Sequence, residues 1–380
     1  MTDIATPEIL IVDDEPESQQ AFAAVIGDRA TVHVLHPSEV VLPHLERADL
    51  VLVDFRLDDW PERSEAASLA LKPNNGLALA AVLRSHLHPD NLTAPTPTAF
   101  AIRSSFLDEL SPGLPPERRE HIIARANNLE WAFSKGAPAG ADLGVQCVSL
   151  ARAVKSLPAR WPDPAVGDPL MSACHLLALP RETPWVASAE ENIEACRPPI
   201  HELSQRNHGL MFLRWLLHRI LPYPCFLWDE RRLALRLRVS ESTLQALVAG
   251  PFAPALRPYR YEGVLADFLG PRYWGAGVES FLWETTRGRT FDAAALRATL
   301  SSIAGSDVTT VAVQEPVTCL DGDLRPAADF AAMKDAVRIQ PDDWPPYAQQ
   351  AWTRLTLAAT TPGLAALVVR QDRDRLTAEE

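Results

Sequence analysis

Two short apolar runs near the start of the chain each end in carboxylate side chains. Residues 9–12 (Ile-Leu-Ile-Val) lead into Asp13 and Asp14, and residues 50–53 (Leu-Val-Leu-Val) lead into Asp54. Such runs are typical of parallel strands buried on both faces, and open parallel sheets bind ligands beyond the carboxyl ends of their strands. We therefore expect the three carboxylates to meet at one sheet edge. Because crowded carboxylates repel one another, this edge would suit a hard cation with oxygen ligands, such as Mg²⁺.

The elements that would position these side chains alternate between strands and helices. Strands are predicted at 9–13, 32–35, 49–54, 98–102 and 130–135, and helices at 19–26, 76–86, 118–129 and 144–157. Strands that alternate with helices predict an α/β fold, here a doubly wound parallel five-stranded sheet.

The pattern changes after residue 157. A proline-rich linker is predicted at 158–169, which gives a first domain at 1–157 and a mostly α-helical second domain of unknown function at 170–380. The elements expected in the second domain are helices at 203–221, 230–249, 291–303 and 327–337 and one strand at 308–313.

Residues 7–157 resemble the receiver domain of two-component response regulators. The first apolar run and its acidic pair match the first strand of that family, and Asp54 falls where the family has its phosphoacceptor. Lys135 ends the fifth strand, where the family has a lysine. Ser104, with Ser105 as the fallback, lies just past the fourth strand, where the family has Ser or Thr. The resemblance implies a receiver-like sheet that accepts a phosphoryl group on Asp54.

The resemblance also implies a metal and partners. It implies that Asp14 and Asp54 bind Mg²⁺, with Asp13 assisting and the main-chain carbonyl of Arg56 adding a ligand. A carboxylate nucleophile can form an acyl phosphate, and the ammonium of Lys135 can neutralise the phosphoryl group. The expected phosphoryl donor is a sensor histidine kinase, and a second copy of the chain is a further expected partner. The protein would then be a phosphoacceptor in signalling rather than an enzyme.

Two plainer interpretations of the acidic residues stay open. In one, the carboxylates of an α/β domain only cap helices. In the other, a receiver-like domain keeps its fold without being phosphorylated. The chain also departs from the family pattern, because the segments 58–75 and 87–97 are longer than expected and Gly136 follows Lys135 where proline is usual. These departures bear on partner docking and switching more than on the acidic pocket.

Charge, hydropathy and cysteine content limit the remaining function classes. The net charge of -13 disfavours a nucleic-acid-binding surface. No apolar stretch reaches membrane-spanning length, so we expect a cytoplasmic protein without a membrane segment. The five cysteines are scattered without a C-x-x-C pair, which suits a reducing compartment and argues against a disulfide framework or zinc ribbon.

The second half offers one weak motif and leaves the output open. The sequence pattern of residues 232–249 is typical of a helix-turn-helix, but the second helix of that pair lacks Arg and Lys. An ordinary helical hairpin and a transcriptional regulator are therefore both considered. A further alternative is a phosphate-buffering or decoy regulator without its own effector, similar to receiver proteins of phage-defence two-component systems.

Overall fold

The structure is a computed structural model that describes residues 6–58, 60, 73–87, 97–114, 116–135, 142–158, 160–200, 202–203, 209–250 and 252–376. The chain forms two compact units. The first contains Met1–Leu179, Pro198–Pro222 and Gly263–Leu269, and the second contains Pro180–Arg197, Tyr223–Glu262 and Gly270–Glu380. The predicted linker at 158–169 lies within the first unit. No helix in the described ranges is long and apolar enough to cross a membrane.

A five-stranded parallel sheet forms the centre of the first unit. Its strands are β1 (Glu8–Val12), β2 (Thr31–Leu35), β3 (Leu50–Asp54), β4 (Ala99–Ser104) and β5 (Trp131–Ser134). They lie in the order β2-β1-β3-β4-β5, and every neighbouring pair is parallel. The order reverses between β1 and β3, which is where doubly wound sheets open a crevice for ligands.

Helices cover both faces of this sheet. They are α1 (Gln20–Ile26), α2 (Leu42–Arg47), α3 (Gly76–His86), α4 (Leu107–Leu110), α5 (Pro116–Ala126), α6 (Leu143–Lys155) and α7 (Pro169–Leu176). One core joins α2, α3 and α5 to alternate residues of the strands, such as Leu10, Val51 and Phe100. On the other face α1 packs against α6, and α6 contacts β1, β3 and β4. Burial on both faces explains why β1 and β3 read as continuous apolar runs, whereas the edge strand β2 is partly exposed.

Two later segments of the chain complete the first unit. Helix α9 (Leu210–Trp215) continues into a π-helix at Leu216–Ile220 and packs near α5 and α6. The carboxylate of Glu130 is fully buried between Arg214, at 2.6 Å, and Arg84, at 3.1 Å. Phe268 places its ring 4.9 Å from that of Trp131, in an edge-to-face arrangement. These contacts tie both segments to the start of β5.

The second unit combines helices with a smaller sheet. Its helices are α8 (Val186–Ala195), α10 (Glu230–Leu237), α11 (Glu241–Val248), α12 (Ala253–Leu256), α13 (Gly275–Thr286), α14 (Ala293–Ala304), α15 (Leu355–Thr360) and α16 (Pro362–Leu367). Its strands are β6 (Leu227–Trp228), β7 (Tyr273–Trp274), β8 (Pro316–Leu320), β9 (Pro326–Ala332), β10 (Ala336–Ile339) and β11 (Ala351–Arg354). The four-stranded sheet has the order β10-β11-β8-β9, and β6 pairs with β7.

The predicted fold class is confirmed: a doubly wound parallel sheet of five strands, with a helical region in the second half. Three predicted elements of that half were wrong in detail. The helix expected at 327–337 is β9, a short 3₁₀ turn and β10, and the strand expected at 308–313 is irregular. The helix expected at 230–249 divides at Arg238, which adopts the left-handed conformation. Most of the long segment 58–75 lies outside the described residues.

Candidate functional site

The sequence-predicted site residues lie at the carboxyl edge of the five-stranded sheet. Asp13 directly follows β1, Asp54 is the last residue of β3, and Ser104 is the last residue of β4. Lys135 directly follows β5, and its main-chain N–H donates to the carbonyl of Ser104 at 2.8 Å. The parallel register therefore gathers four residues that are far apart in the chain, and it sets Asp13 and Asp54 beside the β1–β3 crevice.

Lys135 and Asp54 form an ion pair across this edge. The Nζ atom of Lys135 contacts Oδ1 of Asp54, and the side chains are 26% and 12% exposed. The other carboxylate oxygen of Asp54, Oδ2, accepts a hydrogen bond from the main-chain N–H of Arg56 at 3.1 Å. The carboxylate of Asp54 is thus held in place by two contacts, and it remains partly accessible to a small reactant.

Asp13 supplies a buried second carboxylate. Its side chain is 4% exposed, and Oδ1 accepts the main-chain N–H of Glu15 at 2.8 Å. The pKa of Asp13 is raised to about 6. Burial is the largest cause, and the negative charges of Asp54 and Asp14 act in the same direction, whereas the hydrogen bond from Glu15 and the charge of Lys135 lower the pKa. The sign of these effects shows that the carboxylates lie near enough to repel one another.

The hydroxyl of Ser104 is buried at the same edge. Ser104 is 2% exposed, and its Oγ accepts the main-chain N–H of Phe106 at 2.9 Å. Accepting this bond uses an oxygen lone pair, so the hydroxyl still has its proton to donate. Ser105, the fallback, is exposed.

The guanidinium of Arg56 lies 3.4 Å from the ring centroid of Phe106 and pairs with Glu109 at 2.7 Å.

Arg103 is a residue near the site that sequence reasoning missed. Arg103 lies opposite Asp54 in the β3–β4 strand register. Its guanidinium lies 4.0 Å from the ring centroid of Phe22 and donates a hydrogen bond to Gln19. Burial lowers the pKa of Arg103, while the charges of Asp54 and Asp13 raise it. The sequence feature that could have revealed Arg103 is one arginine that follows four apolar residues, just before the end of β4.

Gly76 fixes the approach of α3 to the end of β3. A Cβ atom at this position would lie 1.9 Å from the main-chain oxygen of Asp54, a distance that no packed side chain can adopt. The N–H of Gly76 donates to the carbonyl of Phe55 at 2.8 Å, and Asn75 caps the helix by accepting from Ala78. The close approach therefore requires glycine and holds the strand end that carries Asp54.

The donor set suits a hard cation that keeps part of its water shell. Among the described residues, no group of three or more His, Cys, Asp or Glu side chains could hold a metal ion by itself. Mg²⁺ is nevertheless usually bound through one or two carboxylates together with waters and phosphate oxygens. Asp13 and Asp54, which follow neighbouring strands, could supply the one or two carboxylates of that mode, and a role for Asp14 stays a prediction. The contact shown for Arg56 is its N–H, and a role for its carbonyl stays a prediction.

Comparisons with known proteins add little to this geometry. No family model matches the chain, and no curated protein matches it. A solved structure of the response regulator ChrA from a heme-sensing two-component system is 15% identical, over 73% of this chain and 98% of that chain, with a TM-score of 0.24. At this TM-score the likeness carries no argument about function.

Proposed function

We propose that the first unit accepts a phosphoryl group on Asp54 from a sensor histidine kinase, with Mg²⁺, and so acts as the input of a response regulator. The observation that carries this proposal is the ion pair between Asp54 and Lys135 at the strand ends, beside the buried carboxylate of Asp13. In this arrangement the carboxylate of Asp54 would accept the phosphoryl group, and the ammonium of Lys135 would neutralise part of its charge.

The transfer is a nucleophilic displacement at phosphorus. A carboxylate oxygen of Asp54 bonds to phosphorus as the bond from phosphorus to the donor breaks, and the donor leaves with the electron pair and takes up a proton. The product is an acyl phosphate on Asp54. Little covalent chemistry falls to the protein, because phosphoryl transfer depends mainly on positioning and on neutralising charge.

Each neighbouring side chain has a separate part in this proposal. Lys135 would turn from the carboxylate of Asp54 to the phosphoryl oxygens, and Ser104 would donate its hydroxyl proton to one of them. Asp13, Asp14 and Asp54 would hold Mg²⁺, which supplies positive charge against the phosphoryl oxygens when it is bound. Arg103 would balance part of the acidic charge from its place on β4.

The proposal is tested by incubating the full chain with acetyl phosphate and MgCl₂ and separating the phosphorylated form on a phosphate-affinity gel. We expect a shifted band for the wild type and none for Asp54→Asn, which keeps the shape of the side chain but removes the nucleophile. Asp28→Asn is the matched control, because Asp28 is an exposed carboxylate just before the start of β2, away from the carboxyl ends of the strands, and its replacement should leave the shifted band unchanged.

Two outcomes would contradict the proposal. An unshifted wild type in the presence of acetyl phosphate, and again with a cognate kinase, would favour a receiver-like domain that is not phosphorylated. Equal shifts for the wild type and Asp54→Asn would place the modification elsewhere.

Transcriptional control is not supported as a second function. Helices α10 and α11 do form a helix pair with a left-handed residue between them. However, Arg231 pairs with Glu241 at 2.5 Å and Arg236 pairs with Glu279 at 2.6 Å, so two arginines of α10 are already neutralised. Helix α11 offers no basic side chain for phosphate contacts.

A further inference from the structure

Two of the five cysteines meet inside the second unit. Cys196 directly follows α8, and Cys225 lies shortly before β6. The thiols of Cys196 and Cys225 are hydrogen-bonded to each other, although their side chains come from separate stretches of the chain. All five cysteines are present as free thiols.

Both thiols form part of the wall of a cavity of about 650 Å³ within the second unit. Trp185 and Phe226 also line this cavity, and the strongly exposed side chains of Trp283 and Phe291 lie at its rim. Cys196 and Cys225 are only 4% and 5% exposed overall. The cavity therefore gives a small molecule access to thiols that bulk reagents would not reach.

The two sulfur atoms are chemically unequal. Sγ of Cys196 accepts hydrogen bonds from the thiol of Cys225 and from the main-chain N–H of Phe226, and the first of these lowers the pKa of Cys196 most. The hydrogen bond to Cys196 and burial raise the pKa of Cys225. Because Cys196 accepts both hydrogen bonds, its sulfur is the one stabilised as a thiolate, the reactive form of cysteine, and this favours Cys196 as the nucleophile of the pair.

We propose that Cys196 and Cys225 form a reversible intramolecular disulfide when a small hydroperoxide enters the cavity. The Cys196 thiolate bonds to one peroxide oxygen, the O–O bond breaks, and the leaving oxygen departs as water or alcohol after taking a proton. Cys196 is then a sulfenic acid. The sulfur of Cys225 bonds to that of Cys196 and water leaves. Two thiols have together lost two electrons and two protons, and the hydroperoxide has gained them.

The position of the pair gives the bond a structural consequence. The segment Pro198–Pro222, which lies between the two cysteines in the chain, belongs to the first unit. A disulfide between Cys196 and Cys225 would join the two ends of this segment in a covalent loop. Cross-links stabilise a fold mainly by restricting the unfolded chain. The oxidised protein should therefore unfold at a higher temperature than the reduced protein.

The test uses the full chain treated with hydrogen peroxide, then denatured so that the buried cysteines are accessible, blocked with N-ethylmaleimide and analysed by mass spectrometry. We expect two of the five thiols to become unreactive toward the label and a linked peptide pair to contain Cys196 and Cys225. A thiol reductant should restore all five. In Cys225→Ser, dimedone should trap a sulfenic acid on Cys196, because the resolving thiol is gone.

Cys319→Ser is the matched control, because Cys319 lies in β8 of the same unit and is buried, and it should leave the linked peptide unchanged. The proposal is overturned if all five thiols of peroxide-treated wild type stay reactive, or if the linked peptides join other cysteines. Mapping the wild type does not depend on how any variant folds. A lower unfolding temperature after oxidation would overturn the stabilising consequence alone.

Discussion

At the scale of single residues, the contact between Asp54 and Lys135 would hold in place the carboxylate that we propose as the phosphoacceptor. The carboxylates of Asp54 and the buried Asp13 repel each other. The ammonium of Lys135 offsets part of that repulsion. A compact ammonium on a flexible stem can shift from the carboxylate to an incoming phosphoryl group. The same side chain can therefore serve the unmodified and the modified state.

Replacing Lys135 tests this role separately from that of the nucleophile. We expect Lys135→Ala to slow phosphorylation by acetyl phosphate about 10²-fold, a loss comparable to removing one preorganised electrostatic contact. Lys155→Ala is the control, because Lys155 pairs with Asp49 at the opposite edge of the sheet and should leave the rate unchanged. Equal initial rates for Lys135→Ala and the wild type would show that the ion pair has no part in the transfer.

The meeting of the candidate site residues at one sheet edge could be predicted from the sequence better than their surroundings could. Asp13 and Asp54 follow apolar runs that must be strands, so their meeting at one edge follows from the parallel sheet. Arg103 could not be placed in the same way, because its proximity to Asp54 depends on the β3–β4 register. Apolar residues indicate which strands are buried, but the alignment of β3 against β4 depends on how the two strands pair in the folded sheet.

At the scale of elements, the junction between β3 and α3 is the most constrained part of the site. Gly76→Ala would force a methyl group against the main-chain oxygen of Asp54. We expect a loss of about 1–3 kcal/mol in the free energy of unfolding and weaker labelling, because the strand end must move. Gly363→Ala is the control, since a Cβ there meets nothing within 4 Å. Urea unfolding compares them, and equal stability would contradict the assigned contact.

The π-helix that completes the first unit should make stability depend on pH. The pKa of His218 is lowered to about 4. Burial is the largest cause, and repulsion from Arg214 and Arg125 acts in the same direction, whereas the hydrogen bond to the carbonyl of Glu130 and the charge of Glu130 raise the pKa. Because the folded pKa lies below the ordinary value, the stabilisation is complete above about pH 6.5 and is lost as pH falls toward 4.

We expect this side chain to account for a loss of about 2 kcal/mol between pH 7.5 and pH 5. His218→Gln keeps a donor but does not titrate, so urea unfolding of this variant should lack that part of the decline. Parallel declines for the two proteins would show that His218 is not the group responsible.

The inner strands of the first unit were predictable because they are buried on both faces, whereas the strands at 316–354 in the second unit were not predicted. The stretch at 327–337 is rich in alanine, which favours helix more than any other residue. In the structure Pro326–Ala332 instead pairs with β8 in an antiparallel ladder. Local propensity is a weak prior, and here long-range pairing outweighed it.

At the scale of the whole molecule, the first unit is not a continuous stretch of chain. Gly263–Leu269 and Pro198–Pro222 belong to it, and they provide the Phe268 ring against Trp131 and the Arg214 partner of Glu130. A receiver-like domain bounded at residue 157, as the sequence suggests, would lack both contacts. The resemblance could not reveal this, because it covers only the first part of the chain.

A fragment of residues 1–157 should therefore be less stable than the unit in the full chain. We expect a lower thermal unfolding midpoint by circular dichroism and binding of a hydrophobic dye, because Trp131 and Phe133 lose the ring of Phe268. In the full chain, Phe268→Ala should cost about 3–5 kcal/mol, as for other buried aromatic residues. A fragment as stable as the full chain would show that the later segments are not needed for this fold.

If Asp54 carries the phosphoryl group, chemical mapping of the acyl phosphate will locate it there. The full chain is treated with acetyl phosphate and MgCl₂, reduced with borohydride, which converts a phosphorylated aspartate to homoserine, and sequenced by mass spectrometry. We expect homoserine at position 54 only, and only when both acetyl phosphate and MgCl₂ are present. Homoserine at another aspartate, or none in protein that carries bound phosphate, would contradict it.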